Sequence, residues 1–278
     1  MKFRKIKTDI KELWPDDAEM FMQDHAEGEY TLLDVRQPGE HKEYHIPGAR
    51  LIPLPELVDS LSDLDKDKPV LVYCAMGGRS KAASQILKGA GFTEIFNILG
   101  GVEAWTGNMA EGPYDFGMTM ITGSESPIAI LAVAYGMENG LKLFYQKIAA
   151  DMPEGNTATL LNKLAGVEVK HGDRLFEIAK TLDVTVDTPE ALLSRIDASL
   201  MEGGYTVDEF IDKYQSRLNT PRDVLNMAMT LEAQALDLYM RYAHKMAEPE
   251  SRDILLKIAD EEKAHLTALG VLMDSALP

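Results

Sequence analysis

The chain has 278 residues, of which 45% are hydrophobic and 26% are charged, a composition typical of a folded protein with a substantial core. Its net charge of −17 argues against nucleic acid as a partner, because contact with phosphates needs clustered lysine and arginine side chains. The single cysteine excludes an internal disulfide and any zinc centre built from several cysteines.

No segment is typical of a targeting or membrane sequence. The N-terminal stretch MKFRKIKTDIKELWPDD lacks the apolar core of a signal peptide. The longest apolar run, at about residues 127–135, is much shorter than the roughly 20 residues that cross a bilayer. We therefore expect a cytoplasmic protein without a membrane partner.

The first 110 residues alternate strand-like and helix-like segments. The short β-rich runs are TLLDV (31–35), RLIPL (50–54), VLVYC (70–74) and EIFNIL (94–99). The amphipathic stretches typical of helices are DDAEMFMQDH (16–25), PELVDSLSDL (55–64) and RSKAASQILKGAG (79–91). This alternation predicts an α/β domain with a largely parallel sheet flanked by helices, in which sites form at the carboxyl ends of strands.

The only cysteine, Cys74, lies at the end of one of these predicted strands. The loop that follows it consists of Ala75, Met76, Gly77 and Gly78. The two glycines let successive N–H groups face inward as an anion-binding nest, and a helix is predicted to begin at about Arg79. Because a helix N-terminus and a nearby cation both lower the pKa of a thiol, the segment predicts a reactive thiolate.

The spacing of Cys74 and Arg79 separates two chemistries that use such a loop. Tyrosine phosphatases have a C-x5-R loop, which is long enough to encircle a phosphate. Here the spacing is C-x4-R, and the shorter loop favours a sulfane sulfur bound to the cysteine. An inert buried cysteine is the remaining alternative, but it would leave the two glycines unexplained.

Three segments of residues 1–110 resemble the rhodanese family. They are LLDVRQPGEHKEYHIPGARLIPL (32–54), YCAMGGRS (73–80) and NILGGVEAW (97–105). The resemblance implies a sulfurtransferase in which Cys74 takes sulfur from thiosulfate or a persulfide donor. Since the chain has no second cysteine, an external thiol or other nucleophile must accept that sulfur.

The resemblance also implies roles for residues around the cysteine. The backbone amides of residues 75–79 would stabilise the persulfide, while Arg79 would add positive charge or brace the loop. Asp34 and Arg36 would have supporting, mainly structural roles. We interpret His45, in the segment HIPGA, as a packing or turn residue and not as a catalyst.

Residues 107–124 contain four glycines and a proline without a sustained period, which is typical of a connection. We predict a linker at 111–124 between a first domain, 1–110, and an all-helical second domain, 125–278. The long helices of that second domain are expected at about 127–151, 156–182, 221–247 and 250–274. A crossover at 183–220 is expected to contain one or two short helices.

The helical half repeats one pattern of a glutamate followed by an E-x-x-H motif. The repeated residues are Glu138, Glu168 and His171 in the first half of the pattern and Glu232, Glu262 and His265 in the second. In both cases the two glutamates are 30 residues apart. If each half forms a helical hairpin, its two glutamates lie level with each other, about 22 Å from the turn.

All six side chains also lie on the apolar stripes of their helices, so they are predicted to face the interior of a bundle. Burying an unpaired carboxylate costs several kcal/mol, and four of them together require cations. A glutamate from each of two helices and a Glu-x-x-His motif from each of the other two form the ligand pattern of di-iron and di-manganese bundles.

Residues 125–278 resemble the ferritin-like superfamily, and rubrerythrin in particular. The resemblance implies a bundle that binds two iron ions, with manganese open as the alternative metal. Glu168 and Glu262 would bridge the ions, and the other four residues of the pattern would be terminal ligands. Tyr145 and Tyr239 are assigned either to hydrogen bonds with these ligands or to aromatic packing.

Two departures from rubrerythrin bear on electron transfer. Ala235 replaces the further carboxylate that rubrerythrins usually carry one turn after the glutamate of the third helix, and the paired CxxC motifs of a rubredoxin module are absent from the sequence. An external electron donor is therefore expected.

Three functional hypotheses follow from the sequence. In the first, Cys74 transfers sulfur while the metal pair reacts with peroxide, O2 or a sulfur species. In the second, the bundle only binds or senses iron, or serves for dimerisation. In the third, the first domain is a sulfur carrier that delivers persulfide to a partner protein. A homodimer is expected in each case.

Overall fold

The computed structural model describes residues 10–118, 120–195 and 206–276 of the chain. The chain divides into two compact units between Asp115 and Phe116, within the predicted linker 111–124. Residues 1–9 of the predicted first domain and residues 196–205 of the predicted crossover lie outside the described residues. Each unit is built around its own buried apolar clusters.

The first unit contains a five-stranded parallel sheet with the strand order β1-β5-β4-β2-β3. The strands are β1 (Ile10–Leu13), β2 (Thr31–Asp34), β3 (Arg50–Leu51), β4 (Val70–Tyr73) and β5 (Ile95–Ile98). All four residues of the central strand β4 are buried. Because Asp34 pairs with Tyr73, the carboxyl ends of β2 and β4 lie side by side, and Cys74 begins the loop at that edge.

Helices and turns cover both faces of this sheet. The α-helices are α1 (Pro15–Asp24), α2 (Pro38–Glu43) and α3 (Gly78–Ala90), and short 3-10 turns occupy Leu54–Glu56, Leu61–Asp63 and Gly101–Ala104. One apolar cluster contains Cys74 and the buried side of α3, and the other contains Tyr73, Phe96 and Trp105. The sheet with its helices confirms the predicted α/β class.

The single helix predicted over residues 55–64 is wrong, because two 3-10 turns occupy this segment. Only Leu57 and Leu64 are buried in this segment, which is too few to hold an amphipathic helix against the sheet. The edge strand β1 was not predicted, since its four residues include two exposed charged side chains.

The second unit is a bundle of four long helices. Its elements are α4 (Pro127–Asp151), α5 (Asn156–Leu182), the short crossover helices α6 (Pro189–Leu193) and α7 (Val207–Tyr214), α8 (Pro221–Lys245) and α9 (Pro249–Ala276). Helix α4 packs mainly against α5, and α8 packs mainly against α9. Contacts of α4 with α9 and of α5 with α8 join the two hairpins, which confirms the predicted bundle.

Much of the segment between the units is packed into the bundle unit. Three side chains of α8 donate hydrogen bonds to carbonyl groups of this segment: Arg241 to Phe116, Tyr242 to Gly117 and Lys245 to Ile121. Ile121 is fully buried in a core cluster. Phe116, Gly117 and Ile121, which lie in the predicted linker, are therefore anchored to the bundle. Among the helices in the described ranges, none combines the length and apolar composition of a membrane span.

Candidate functional sites

Cys74 is the first residue after the central strand, and only 1% of it is exposed. The backbone N–H of Gly77 donates to its sulfur at 3.1 Å, and the hydroxyl oxygen of Ser80 lies 3.6 Å from the sulfur. Gly77 precedes α3 as its N-cap with a φ of +98°, a conformation that favours glycine. The tight left-handed turn thus brings the start of α3 to the sulfur.

A second turn orients the peptide groups of the loop. The backbone N–H of Val102 donates to the Cys74 carbonyl at 2.8 Å, and that of Glu103 donates to the Ala75 carbonyl at 3.1 Å. In a trans peptide the C=O and N–H groups point in opposite directions, so both peptides turn their N–H groups to the other side of the loop. Gly101 permits this approach, since a Cβ there would lie only 2.2 Å from the Cys74 carbonyl oxygen.

Burial and hydrogen bonding act on the thiol in opposite directions. Burial raises the pKa of Cys74, but the backbone N–H and hydroxyl of Ser80, with the N–H groups of Gly77 and Arg79, lower it by more. The pKa of Cys74 is therefore lower than that of an ordinary cysteine. These donors favour a negatively charged sulfur at this position.

Arg79 forms a bidentate ion pair with Glu40. Its Nη1 and Nη2 atoms lie 2.6 and 2.5 Å from the two carboxylate oxygens, and about a third of each side chain is exposed. The hydrogen bond from Glu40 raises the pKa of Arg79, although burial opposes the shift, and the charge of Cys74 also raises it. The structure thus places Arg79 as a brace between α3 and α2 that remains within electrostatic reach of the sulfur.

Asp34 and Arg36 form a buried ion pair behind the loop. The Arg36 guanidinium donates to both oxygens of Asp34, at distances between 2.7 and 3.0 Å, and to the carbonyl of Tyr44 at 2.8 Å. Burial raises the pKa of Asp34, but hydrogen bonds from His41 and Arg36 lower it by a larger amount. The pKa of Asp34 is therefore lower than that of an ordinary aspartate. This pair holds residues 36–44, which include Glu40, against the sheet.

His45 is buried and lies in the same cluster. Its Nδ1 is 2.8 Å from the carbonyl oxygen of His41, and the two imidazole rings stack with their centroids 3.7 Å apart. This packed position accords with the interpretation of His45 as a packing residue.

Sequence reasoning missed two side chains of this site, Ser80 and Glu40. Ser80 was visible in the motif YCAMGGRS, where a hydroxyl in the first turn of a helix signals a possible donor or cap. Glu40 carried no comparable signal, because its partner Arg79 is 39 residues away in the chain.

The six metal-ligand candidates form two clusters in the bundle. One cluster contains Glu138, Glu168 and His171, and the other contains Glu232, Glu262 and His265; within each, potential ligand atoms lie within 4.8 Å of one another. All four glutamates are at most 4% exposed, and the two histidines are partly buried. The structure therefore brings together all the residues predicted from the repeat.

Short contacts join the members of each cluster and bring the clusters together. His171 Nδ1 lies 3.0 Å from a carboxylate oxygen of Glu168, and His265 Nδ1 lies 3.1 Å from Glu262 and 3.3 Å from Glu232. The two imidazole rings stack with centroids 3.8 Å apart. The six side chains thus belong to one site shared by α4, α5, α8 and α9.

Hydrogen bonds and charge interactions shift the pKa values of two residues of this site. Burial raises the pKa of Glu232, but hydrogen bonds from His265 and Glu262 outweigh burial and lower it. Burial lowers the pKa of His265, but its hydrogen bond and charge interaction with Glu232 raise it overall. Four buried glutamates and two imidazoles offer oxygen and nitrogen ligand atoms in one place, so the donor set fits a pair of cations.

Three further residues bear on the rubrerythrin resemblance. The hydroxyl of Tyr239 donates to the Met137 sulfur at 3.7 Å, and Tyr145 packs against Phe144 with ring centroids 5.5 Å apart. Ala235 is buried in the apolar core. Both tyrosines are buried in the bundle core.

The fold and sites define a two-domain protein in which a thiolate loop on a parallel sheet is joined to a helical bundle with a metal-ligand cluster. Residues 17–108 match the family described as Rhodanese-like domain, and residues 223–276 match the family described as Rubrerythrin. The chain belongs to the rhodanese family, and helices α8 and α9 of its bundle resemble rubrerythrin.

Three relatives and solved structures illustrate the similarity to the rhodanese family. The thiosulfate sulfurtransferase GlpE of Pseudomonas syringae is 32% identical over 98 residues, which cover 35% of this chain and 89% of GlpE. YqhL of Bacillus subtilis is 45% identical over 78 residues, which cover 28% of this chain and 62%, or less than two thirds, of YqhL. A solved rhodanese-like domain protein from Staphylococcus aureus is 28% identical, with a TM-score of 0.33, over 34% of this chain and 91% of that protein.

Proposed function

We propose that the first domain is a sulfurtransferase that forms a persulfide on Cys74. The observation that carries this proposal is the set of hydrogen-bond donors around the sulfur, which lower the pKa of the thiol despite its burial. The same donors would stabilise the negative charge of a persulfide. The name thiosulfate sulfurtransferase, borne by the GlpE relatives, supports the same activity.

The reaction consists of two displacements at sulfur. The Cys74 thiolate attacks the outer sulfur of the donor, the sulfur–sulfur bond of the donor breaks, and its electron pair leaves with the remaining fragment. Thiosulfate would leave as sulfite and a persulfide R–S–SH as the thiolate RS⁻. An external thiol or other nucleophile then takes the outer sulfur, and the electron pair of the broken bond regenerates the Cys74 thiolate.

Substitution of Cys74 tests this activity. The full-length protein is expected to convert thiosulfate and cyanide to thiocyanate and sulfite, and Cys74→Ser is expected to lose this turnover because a serine hydroxyl cannot take up the sulfur. Mass spectrometry of the wild type after thiosulfate treatment should show one added sulfur atom, which the variant lacks. A Cys74→Ser protein that folds and retains full turnover would contradict the proposal.

We further propose that the six clustered residues of the bundle bind two metal ions, iron in the first place, with manganese as the alternative. When bound, such a pair supplies redox chemistry toward peroxide or O2. The chain's own contribution is the anionic donor set, held in position by the helices and kept from water by the surrounding apolar clusters. Electrons would come from an external donor.

Metal analysis of two variants on α5 tests this site. The wild type is expected to hold about two metal ions per chain, and Glu168→Ala is expected to lose most of this metal because it removes a buried ligand. Glu177→Ala is the matched control, since Glu177 is exposed and pairs only with Lys180 among the ion pairs of the described residues. Wild-type protein that cannot be loaded with iron or manganese would overturn the proposal.

The turnover of the loaded protein separates the remaining alternatives. Reaction with peroxide or O2 would support a redox role for the bundle. Stoichiometric metal binding without turnover would instead support an iron-binding or sensing role, or a platform for a homodimer, while leaving the sulfurtransferase proposal unaffected.

A further inference from the structure

We propose that Glu40 determines the donor specificity of the Cys74 site by neutralising Arg79, so that the site favours persulfides of low charge over the thiosulfate dianion. This inference rests on the proposed sulfurtransferase function. Glu40 acts through Arg79 and is therefore a positioning residue. The proposal names the class of sulfur donor that the site selects.

The ion pair itself is the first piece of evidence. Both carboxylate oxygens of Glu40 accept hydrogen bonds from Arg79, at 2.6 and 2.5 Å, so the fork of the guanidinium faces the carboxylate. Glu40 is also fixed from its other side, because the backbone N–H of Gln37 donates to it at 3.0 Å as part of a capping box on α2. The carboxylate is thus held in place to receive Arg79.

The second piece of evidence is the position of Arg79 relative to the sulfur. Its backbone N–H is among the donors that lower the pKa of Cys74, and its guanidinium is affected by the charge of that sulfur. Because Glu40 neutralises Arg79, the guanidinium attracts an anion at the sulfur only weakly.

The other cation behind the loop is compensated in the same way. Arg36 is buried and pairs with Asp34 at 2.7 Å. Lys81, on the first turn of α3, is exposed and has no ion pair within the described part of the chain. The two arginines near Cys74 thus add little net positive charge, and Lys81 provides a matched control for the effect of a nearby surface charge.

The two donor classes differ in the charge that they bring. Thiosulfate carries two negative charges and releases sulfite, also a dianion, when the Cys74 thiolate takes its outer sulfur. A persulfide R–S–SH with an uncharged R group releases only the monoanionic thiolate RS⁻. A site with compensated arginines discriminates against the first donor, because two anionic charges approach a thiolate without a free guanidinium beside it.

The experiment compares full-length wild type, Glu40→Gln, Lys81→Gln and the double variant Glu40→Gln/Arg79→Gln. The donors are thiosulfate and the persulfide of N-acetylcysteine methyl ester, with cyanide as acceptor in both cases. Glutamine retains an oxygen that can accept from the Gln37 N–H, so α2 should keep its capping box. The readout is the ratio of kcat/KM for thiosulfate to kcat/KM for the persulfide.

Glu40→Gln is expected to raise this ratio about tenfold at low ionic strength, mainly through a lower KM for thiosulfate, and added salt should reduce the gain. The double variant should lose the gain, because the freed cation is gone. Lys81→Gln should leave the ratio within about twofold of the wild type, as expected for an exposed charge.

Two results would overturn this inference alone: a ratio for Glu40→Gln within twofold of the wild type, or equal losses of kcat/KM with both donors. Either result would show that the ion pair only braces the loop. Wild-type protein that transfers sulfur from neither donor would overturn the proposed function and this inference together. The two failures are therefore distinguishable.

Discussion

At Cys74, the effect of burial on the thiol is reversed by a few hydrogen-bond donors. A cysteine that is 1% exposed in an apolar cluster would ordinarily have a raised pKa. Here the start of α3 lowers it, because the N–H groups of Gly77, Arg79 and Ser80 and the Ser80 hydroxyl favour the thiolate. The balance depends on groups within one turn of the helix.

Removal of the Ser80 hydroxyl tests this balance. The rate of alkylation of Cys74 by iodoacetamide should follow thiolate formation, with a midpoint at lower pH than that of a free cysteine. In Ser80→Ala the pKa should rise, so the midpoint should move to higher pH and the rate at neutral pH should fall. Ser84→Ala is the matched control, since the Ser84 hydroxyl donates to the Ser80 carbonyl at 2.8 Å, one turn along α3.

An unchanged midpoint in Ser80→Ala would assign the lowered pKa to the backbone N–H groups alone. A midpoint of the wild type above that of a free cysteine would show that burial dominates.

Individual residues differed in how far the sequence could predict them. Cys74 was identified because it is the only cysteine and lies between a strand-like run and a glycine-containing loop. Glu40 could not be assigned, because the pairing of two partly buried charges distant in the chain follows from how α2 and α3 pack. That packing is a property of the folded domain.

Among the structural elements, the turn at Gly100 and Gly101 has the most direct effect on the cysteine loop. Both glycines have positive φ angles, +72° and +60°, and Gly101 approaches the Cys74 carbonyl most closely. The turn starts the 3-10 segment whose N–H groups bind the loop carbonyls. A side chain at position 101 would push this segment away from the loop.

Gly101→Ala is therefore expected to lower the free energy of unfolding by roughly 1–3 kcal/mol, a range typical of strained backbone positions. Sulfur transfer should fall as well, because the loop loses its support. Gly89→Ala is the matched control: Gly89 lies in α3 with open space at its Cβ position, and alanine there should stabilise the helix by about 0.5–1 kcal/mol. Denaturant unfolding of both variants measures the difference, and equal effects of the two would contradict the role of the turn.

The secondary structure elements were predictable where a long or strong pattern existed. The four long helices were expected within a few residues of their observed ends, since their apolar stripes extend over many turns. The segment 55–64 and strand β1 were not, because segments of a few residues carry too little periodicity and adopt the conformation that their neighbours in the fold impose.

At the scale of the whole molecule, the two units have separate apolar clusters and separate chemical sites. The proposed metal pair would bind only the bundle, so the metal titration of the wild type can also be followed by calorimetry. Metal at about 100 times its Kd should raise the melting temperature of the bundle by roughly 5–10 °C, because binding stabilises the folded state by mass action. Glu168→Ala should show little of this shift, and an equal shift in that variant would assign the stabilisation to other residues.

The sequence by itself determined the two fold classes, the cysteine of the proposed sulfur site and the six residues of the proposed metal site. Local patterns indicate these features: the strand–loop–helix order, the apolar stripes, and the spacing of 30 residues between glutamates in each hairpin. For two helices joined by a turn, the rise per residue is enough to predict that glutamates at this spacing lie level with each other.

Only the tertiary structure determined which groups from distant segments of the chain contact each other. Three sets of contacts join segments that are far apart in the chain. They are the pairing of Arg79 with Glu40, the support of the loop by Val102 and Glu103, and the hydrogen bonds from α8 to Phe116, Gly117 and Ile121. Such contacts arise when the packed core brings separate elements together. The local periodicity of the sequence does not indicate them.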